Sequence, residues 1–187
     1  MIGGGIHFAI NSITQPFFAL FAAELGASTS AIGALLMLRA VLPLFIAMPS
    51  GQLIDRLGAV PMLRFGNALT IVSLILMVWS PSIAVLTASQ LLIGAGTMIV
   101  SSALQVIVSE GDKAERERNI SRYSAWCSGG SMIGPLVGGA VVSAFVSLPG
   151  VLSGSEADGY RAAFFLSLLA AAGFGFAFGR VSRHAAK

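Results

Sequence analysis

Charge is scarce in this chain, cysteine and histidine more so, and each scarcity excludes a class of protein. Asp, Glu, Lys and Arg together supply 10% of the 187 residues, too little to solvate the surface of an ordinary water-soluble domain. One cysteine, Cys127, rules out an internal disulfide. His7 and His184 are the only histidines, and no Cys/His cluster has metal-ligand spacing. Neither a metal nor a cofactor is expected. Acidic residues are absent from the middle of every apolar run, so no carboxylate is available there to carry a proton or bind a cation.

What the sequence has instead is apolar length. Hydrophobic residues make up 56% of the chain and the mean hydropathy is +0.86, which places it among integral membrane proteins. Apolar runs are predicted as helices over 2–23, 31–50, 65–79, 83–108, 123–146 and 162–179, mostly near the ~20 residues that cross about 30 Å of hydrocarbon at ~1.5 Å per residue. The expected fold class is all-α: a single polytopic domain, a six-transmembrane-helix bundle in contact with membrane lipid. The first run is too long for a signal peptide and lacks a basic n-region and a small-residue cleavage site, so it is expected to remain.

The net charge of +3 and the pI near 9.6 do not mark a nucleic-acid binder, because the basic residues sit in short segments between apolar runs. They mark orientation. Arg56, Arg64, Lys113, Arg116, Arg118, Arg122, Arg180, Arg183 and Lys187 fall on one side of the bundle, Arg161 falls on the other, and Arg39 lies within the membrane. The basic side is predicted to be cytoplasmic in a plasma (inner) membrane. Six spans put both termini there.

Few polar side chains interrupt the spans. Asn11 and Gln15 are four apart and share a helix face, with Thr14 beside them and Pro16 following; they either tie the first helix to its neighbours or line a wet cavity. His7 reads as a packed or interfacial histidine rather than a proton carrier. Arg39 sits near the middle of the second helix, where an arginine facing lipid costs at least about 2.5 kcal/mol. It must face protein or water, as a binding or gating group or as a structural one satisfied by carbonyls. Ser101 and Gln105 share a face of the fourth helix. Helices 1, 2, 4 and 5 are therefore expected to form a cavity for a small-molecule solute, and helices 3 and 6 to be peripheral.

The segment 50–64, SGQLIDRLGAVPMLR, is the most strongly punctuated break between two apolar runs and reads as a tight loop. Gly51 and Gly58 permit a reversal, Asp55 and Arg56 belong at a membrane surface, and Pro61 suits the first turn of the next helix. The spacing of Gly51, Leu53, Asp55, Arg56 and Gly58 resembles the gating-loop signature between the second and third helices of major facilitator superfamily transporters. It departs from that pattern at Ala59 and Val60, which stand where two basic residues are usual. In the fifth helix Gly130, Gly134, Pro135, Gly138 and Gly139 form a G-x-x-x-G-P-x-x-G-G array that resembles the packing and hinge motif of antiporter members. Ser89–Thr97 is similar to the helix 4 pattern R-x-x-Q-G-x-G, but Gln90 stands in the position of the arginine that the family links to proton coupling. The mixed-charge segment 110–122, read as a solvated loop or short surface helix, and the Gly-Tyr-Arg run at 159–161 also resemble the family at these points.

The resemblance implies the N-terminal half of a twelve-helix secondary transporter of the efflux and antiport branch, working by alternating access. It implies a partner too, a second six-helix half or another copy of the chain. The alternatives are a truncated or non-transporting membrane remnant or scaffold, and an intramembrane protease. The last needs a G-x-S-G nucleophile motif, which is absent, so no enzyme activity is expected.

Overall fold

The computed structural model describes residues 2–80, 82–147 and 156–184, with side chains through 145 and again over 157–178. Six helices follow one another: α1 Ile2–Glu24, α2 Thr29–Leu57, α3 Ala59–Val78, α4 Ile83–Val108, α5 Lys113–Ser147 and α6 Glu156–His184. All six are long and apolar enough to cross a membrane. The shortest, α3 with 20 residues, reaches about 30 Å at the rise of an α-helix. Among the described residues there is no strand, so the all-α bundle is the observed architecture.

The helix ends correct the sequence reading in three places. First, 50–64 is not a loop. Helix α2 runs unbroken to Leu57 and α3 begins at Ala59, so the whole reversal falls on Gly58 at φ 91°. Only glycine adopts that angle without strain. Gly51 is helical and makes no turn. The helix persists because Ile54 is buried against Met62 and Leu63 of α3 and the adjoining turns of α4, which rewards two further turns of α2. Pro61 does fall in the first turn of α3. Second, 110–122 is neither a loop nor a separate surface helix: α5 starts at Lys113. Asp112 caps it, its Oδ1 accepting from the Glu115 N–H at 2.8 Å and its carbonyl from the Arg116 N–H at 2.9 Å. Third, Glu156–Gly159, expected in a loop over 148–159, is the first turn of α6; 148–155 and Pro81 lie outside the described residues.

Two apolar cores hold the bundle, one towards each end. At the end away from Gly58, Phe18 and Phe21 of α1, Leu74 and Met77 of α3, Leu86 of α4 and Phe164 of α6 are fully buried. The Phe21 and Phe164 rings meet edge to face at 5.7 Å. At the other end Ile54, Leu63, Val100, Leu104, Tyr123 and Phe174 close together.

Helix α3 is not simply peripheral. It packs between α4 and α6 and buries Asn67, Thr70 and Ser73, three residues apart on one face. Each is satisfied: Asn67 Nδ2 donates to the Ala171 carbonyl at 3.1 Å, Thr70 Oγ1 to Gly66 at 3.0 Å and Ser73 Oγ to Ser89 at 2.8 Å. Phe65, Val72, Ile75 and Trp79 occupy its exposed face. Helices α2 and α5 are the uncovered ones. Leu44, Phe45 and Met48 on α2 and Met132 and Leu136 on α5 are each at least 73% exposed, more apolar surface than a protein leaves in water and suited to lipid or a protein partner.

Candidate functional site

Between the two cores, polar side chains from α1, α2 and α4 converge on Arg39. Asn11 is the hub. One turn after His7 on the same face of α1, it donates from Nδ2 to the His7 carbonyl at 3.1 Å, and its Oδ1 accepts from Arg39 Nη2 at 2.8 Å. A guanidinium can only donate, which fixes the orientation of the Asn11 amide. Arg39 Nη1 approaches Gln90 Oε1 of α4 at 3.5 Å, and Ser101 Oγ lies 3.5 Å from His7 Nε2. His7 is buried.

The backbone explains how an arginine reaches this depth. Pro43 has no N–H, so the Arg39 carbonyl lacks its donor one turn ahead. That carbonyl faces Gly94 of α4 so closely that a Cβ there would stand 2.9 Å from it. The two helices approach where α2 is loosened, and the guanidinium lies against Gln90 and Asn11 instead of lipid. Among the described residues its charge is met by neutral amide oxygens alone. The acidic residues of the chain, Glu24, Asp55, Glu110, Asp112, Glu115, Glu117, Glu156 and Asp158, all lie at or beyond helix ends.

Beside this cluster is a cavity of about 240 Å³, lined by His7, Phe8 and Asn11 of α1, Pro43 of α2, and Thr97, Met98 and Ser101 of α4. Of the expected cavity residues, Asn11, Arg39 and Ser101 are brought together. Gln15 and Gln105 are not: each lies one turn further along its helix, its side chain is exposed, and no hydrogen bond joins it to another described residue. Helix α5, expected to form cavity wall, supplies none of these residues and packs behind α1. Sequence reasoning noticed Gln90 only as a missing arginine. Its role as a partner of Arg39 depends on a contact 51 residues apart, which no local spacing reveals.

The glycines of α5 make the seam with α1. Side chains added at Gly130 and Gly134 would strike the α1 backbone at Gly5 and Ala9, and one at Gly138 would meet the Phe17 ring. Gly5, Ala9 and Ser12 are the matching small residues on α1. Gly139 has nothing within 4 Å and stands outside the seam. Pro135 lies within the continuous helix. At the Gly58 end, Asp55 and Arg56 are exposed in the last turn of α2, and no side-chain hydrogen bond or ion pair joins the Asp55 carboxylate to another described residue.

These features define a polytopic α-helical membrane protein with a cluster of polar side chains beside a cavity between its helices. The chain belongs to the Major Facilitator Superfamily, which matches it over residues 1–187. Proteins of that family are transporters. Over 102 residues the chain is 32% identical to the Methylenomycin A resistance protein of Streptomyces coelicolor, a match that covers 54% of this chain and 22% of that protein. The chain spans well under half the length of that relative.

Proposed function

We propose that this chain forms one six-helix wall of a secondary transporter that exports a small solute by alternating access. The observation that carries the reading is the Asn11–Arg39–Gln90 cluster, a set of polar groups gathered from three apolar helices beside a cavity. Such groups are costly in a membrane and have their use where a solute meets them. The resistance function in the relative's name supports outward movement, and the glycine seam supports an antiporter-like packing of α5 on α1. The second wall is another six-helix half or a second copy, docked on the exposed faces of α2 and α5; alternation is the rocking of one wall on the other. No bond is made or broken.

The charged Gly58 end of the bundle, with Arg56, Arg64 and the start of α5, is cytoplasmic in this reading. Cysteines placed at Ala114 and Ser30, both exposed at opposite ends, are expected to react with an impermeant reagent from opposite sides of the membrane. Reaction of both from the outside of intact cells would reverse this part of the proposal. Asp55 is the free carboxylate that holds the cytoplasmic side closed against the second wall. In energised vesicles carrying the chain and its partner half, a panel of small solutes is expected to reveal export, and Asp55→Asn to reduce it severalfold with insertion intact. Unchanged export in Asp55→Asn would remove the gate role, and no movement of any solute would favour a scaffold.

A further inference from the structure

We infer that the cavity beside Arg39 recognises a small solute carrying a single carboxylate on an apolar body, an inference that takes the transport reading as its frame and names the class of solute. A guanidinium offers five N–H donors; Arg39 spends one on Asn11 at 2.8 Å and a second on Gln90 at 3.5 Å. Both acceptors are neutral amides. A cation held at mid-helix by neutral groups is an incomplete pair, and no carboxylate lies at that depth among the described residues. The planar fork of a guanidinium matches the two oxygens of a carboxylate. Arg39 is only partly buried, and Asn11, which accepts from its Nη2 at 2.8 Å, lines the cavity, so the guanidinium lies one hydrogen bond from that space.

The rest of the cavity limits the anion. Phe8, Pro43 and Met98 line it alongside His7, Asn11, Thr97 and Ser101. One positive charge balances one negative charge. A dianion such as phosphate would bring an unmatched charge against Phe8, Pro43 and Met98, whereas a monocarboxylate with a hydrophobic body is matched at both ends. Asn11 serves as a positioning residue: it lines the cavity, donates to the His7 carbonyl and accepts from Arg39, which holds the guanidinium at the cavity's edge.

The test is the melting temperature of the purified chain in mild detergent, titrated with sodium benzoate, with its neutral isostere benzamide and with sodium phosphate, ionic strength being balanced with sodium chloride. A ligand that binds the folded state raises the melting temperature by mass action. Benzoate is expected to act at a concentration about tenfold or more below benzamide, the difference a charge-assisted bond makes, with phosphate weaker than benzoate. Arg39→Gln is expected to abolish the preference and Arg39→Lys to keep part of it. Equal shifts from benzoate and benzamide, no shift from benzoate, a stronger effect of phosphate, or a preference that survives Arg39→Gln would each overturn the inference. The wild-type comparison stands even where Arg39→Gln does not fold. Movement of solute is not read in this experiment. Export of a neutral solute without a benzoate shift therefore defeats the carboxylate site alone, and a benzoate shift without export defeats the transport reading alone.

Discussion

Gly134→Leu is expected to destabilise the bundle by several kcal/mol, while Gly139→Leu, five residues along the same helix, leaves it nearly unchanged. Even a Cβ at position 134 would stand 2.8 Å from the Ala9 carbonyl oxygen and 2.9 Å from Ser12 Cβ, distances that backbone cannot relieve without moving α1 away from α5. Overpacking by a few methylene groups in a close-packed interior costs about 1–3 kcal/mol, and leucine adds a branched chain where no methyl fits. At position 139 nothing lies within 4 Å, so the same side chain projects into lipid or towards a partner. Equilibrium unfolding of the two variants in mixed micelles checks the contrast. Equal loss in both would mean that α5 makes no close contact with α1 at Gly134.

The second large effect is a dissociation of stability from function in Asn11→Asp. A carboxylate in place of the amide sets an anion 2.8 Å from Arg39 Nη2 and completes the missing pair inside the protein. The melting temperature is expected to hold or rise, while solute export falls at least about tenfold, the effect of losing one charge-assisted interaction. Asn11→Leu supplies the opposite control. It removes the acceptor without replacing it and is expected to cost about 1.5–3 kcal/mol, the range for a hydrogen bond to a charged group. Melting curves and vesicle export on the same preparations measure both. Export at the wild-type rate in Asn11→Asp would show that the guanidinium does not meet the solute.

The bundle was legible because six apolar runs cannot satisfy their backbones in hydrocarbon except as helices. Its ends were less so. Polar residues at 50–57 read as loop because hydropathy falls there, yet Ile54 packs into a core and carries α2 on to Leu57. Hydropathy reports where the membrane stops, and burial decides where the helix stops. The same distinction applies at Lys113, where a capping aspartate starts α5 well before its apolar part. In the site, Arg39 was conspicuous as a charge in an apolar span, but Gln90 is an ordinary polar residue until α2 and α4 are laid together. The shared face of Asn11 and Gln15 was real geometry. It did not place both in the site, because a cavity of about 240 Å³ occupies only a turn or two of each helix. Asn67, Thr70 and Ser73 show the converse, a buried polar stripe in a helix whose hydropathy suggested a lipid-facing role.

The central claim, that these six helices are one wall and need a second, is tested most directly by measuring the mass of the purified particle in mild detergent together with export after reconstitution. The account predicts that export-competent particles contain two walls, either two copies of this chain or one copy with a co-expressed second half, joined through the exposed faces of α2 and α5. A stable, strictly monomeric six-helix particle that still exports solute would contradict it.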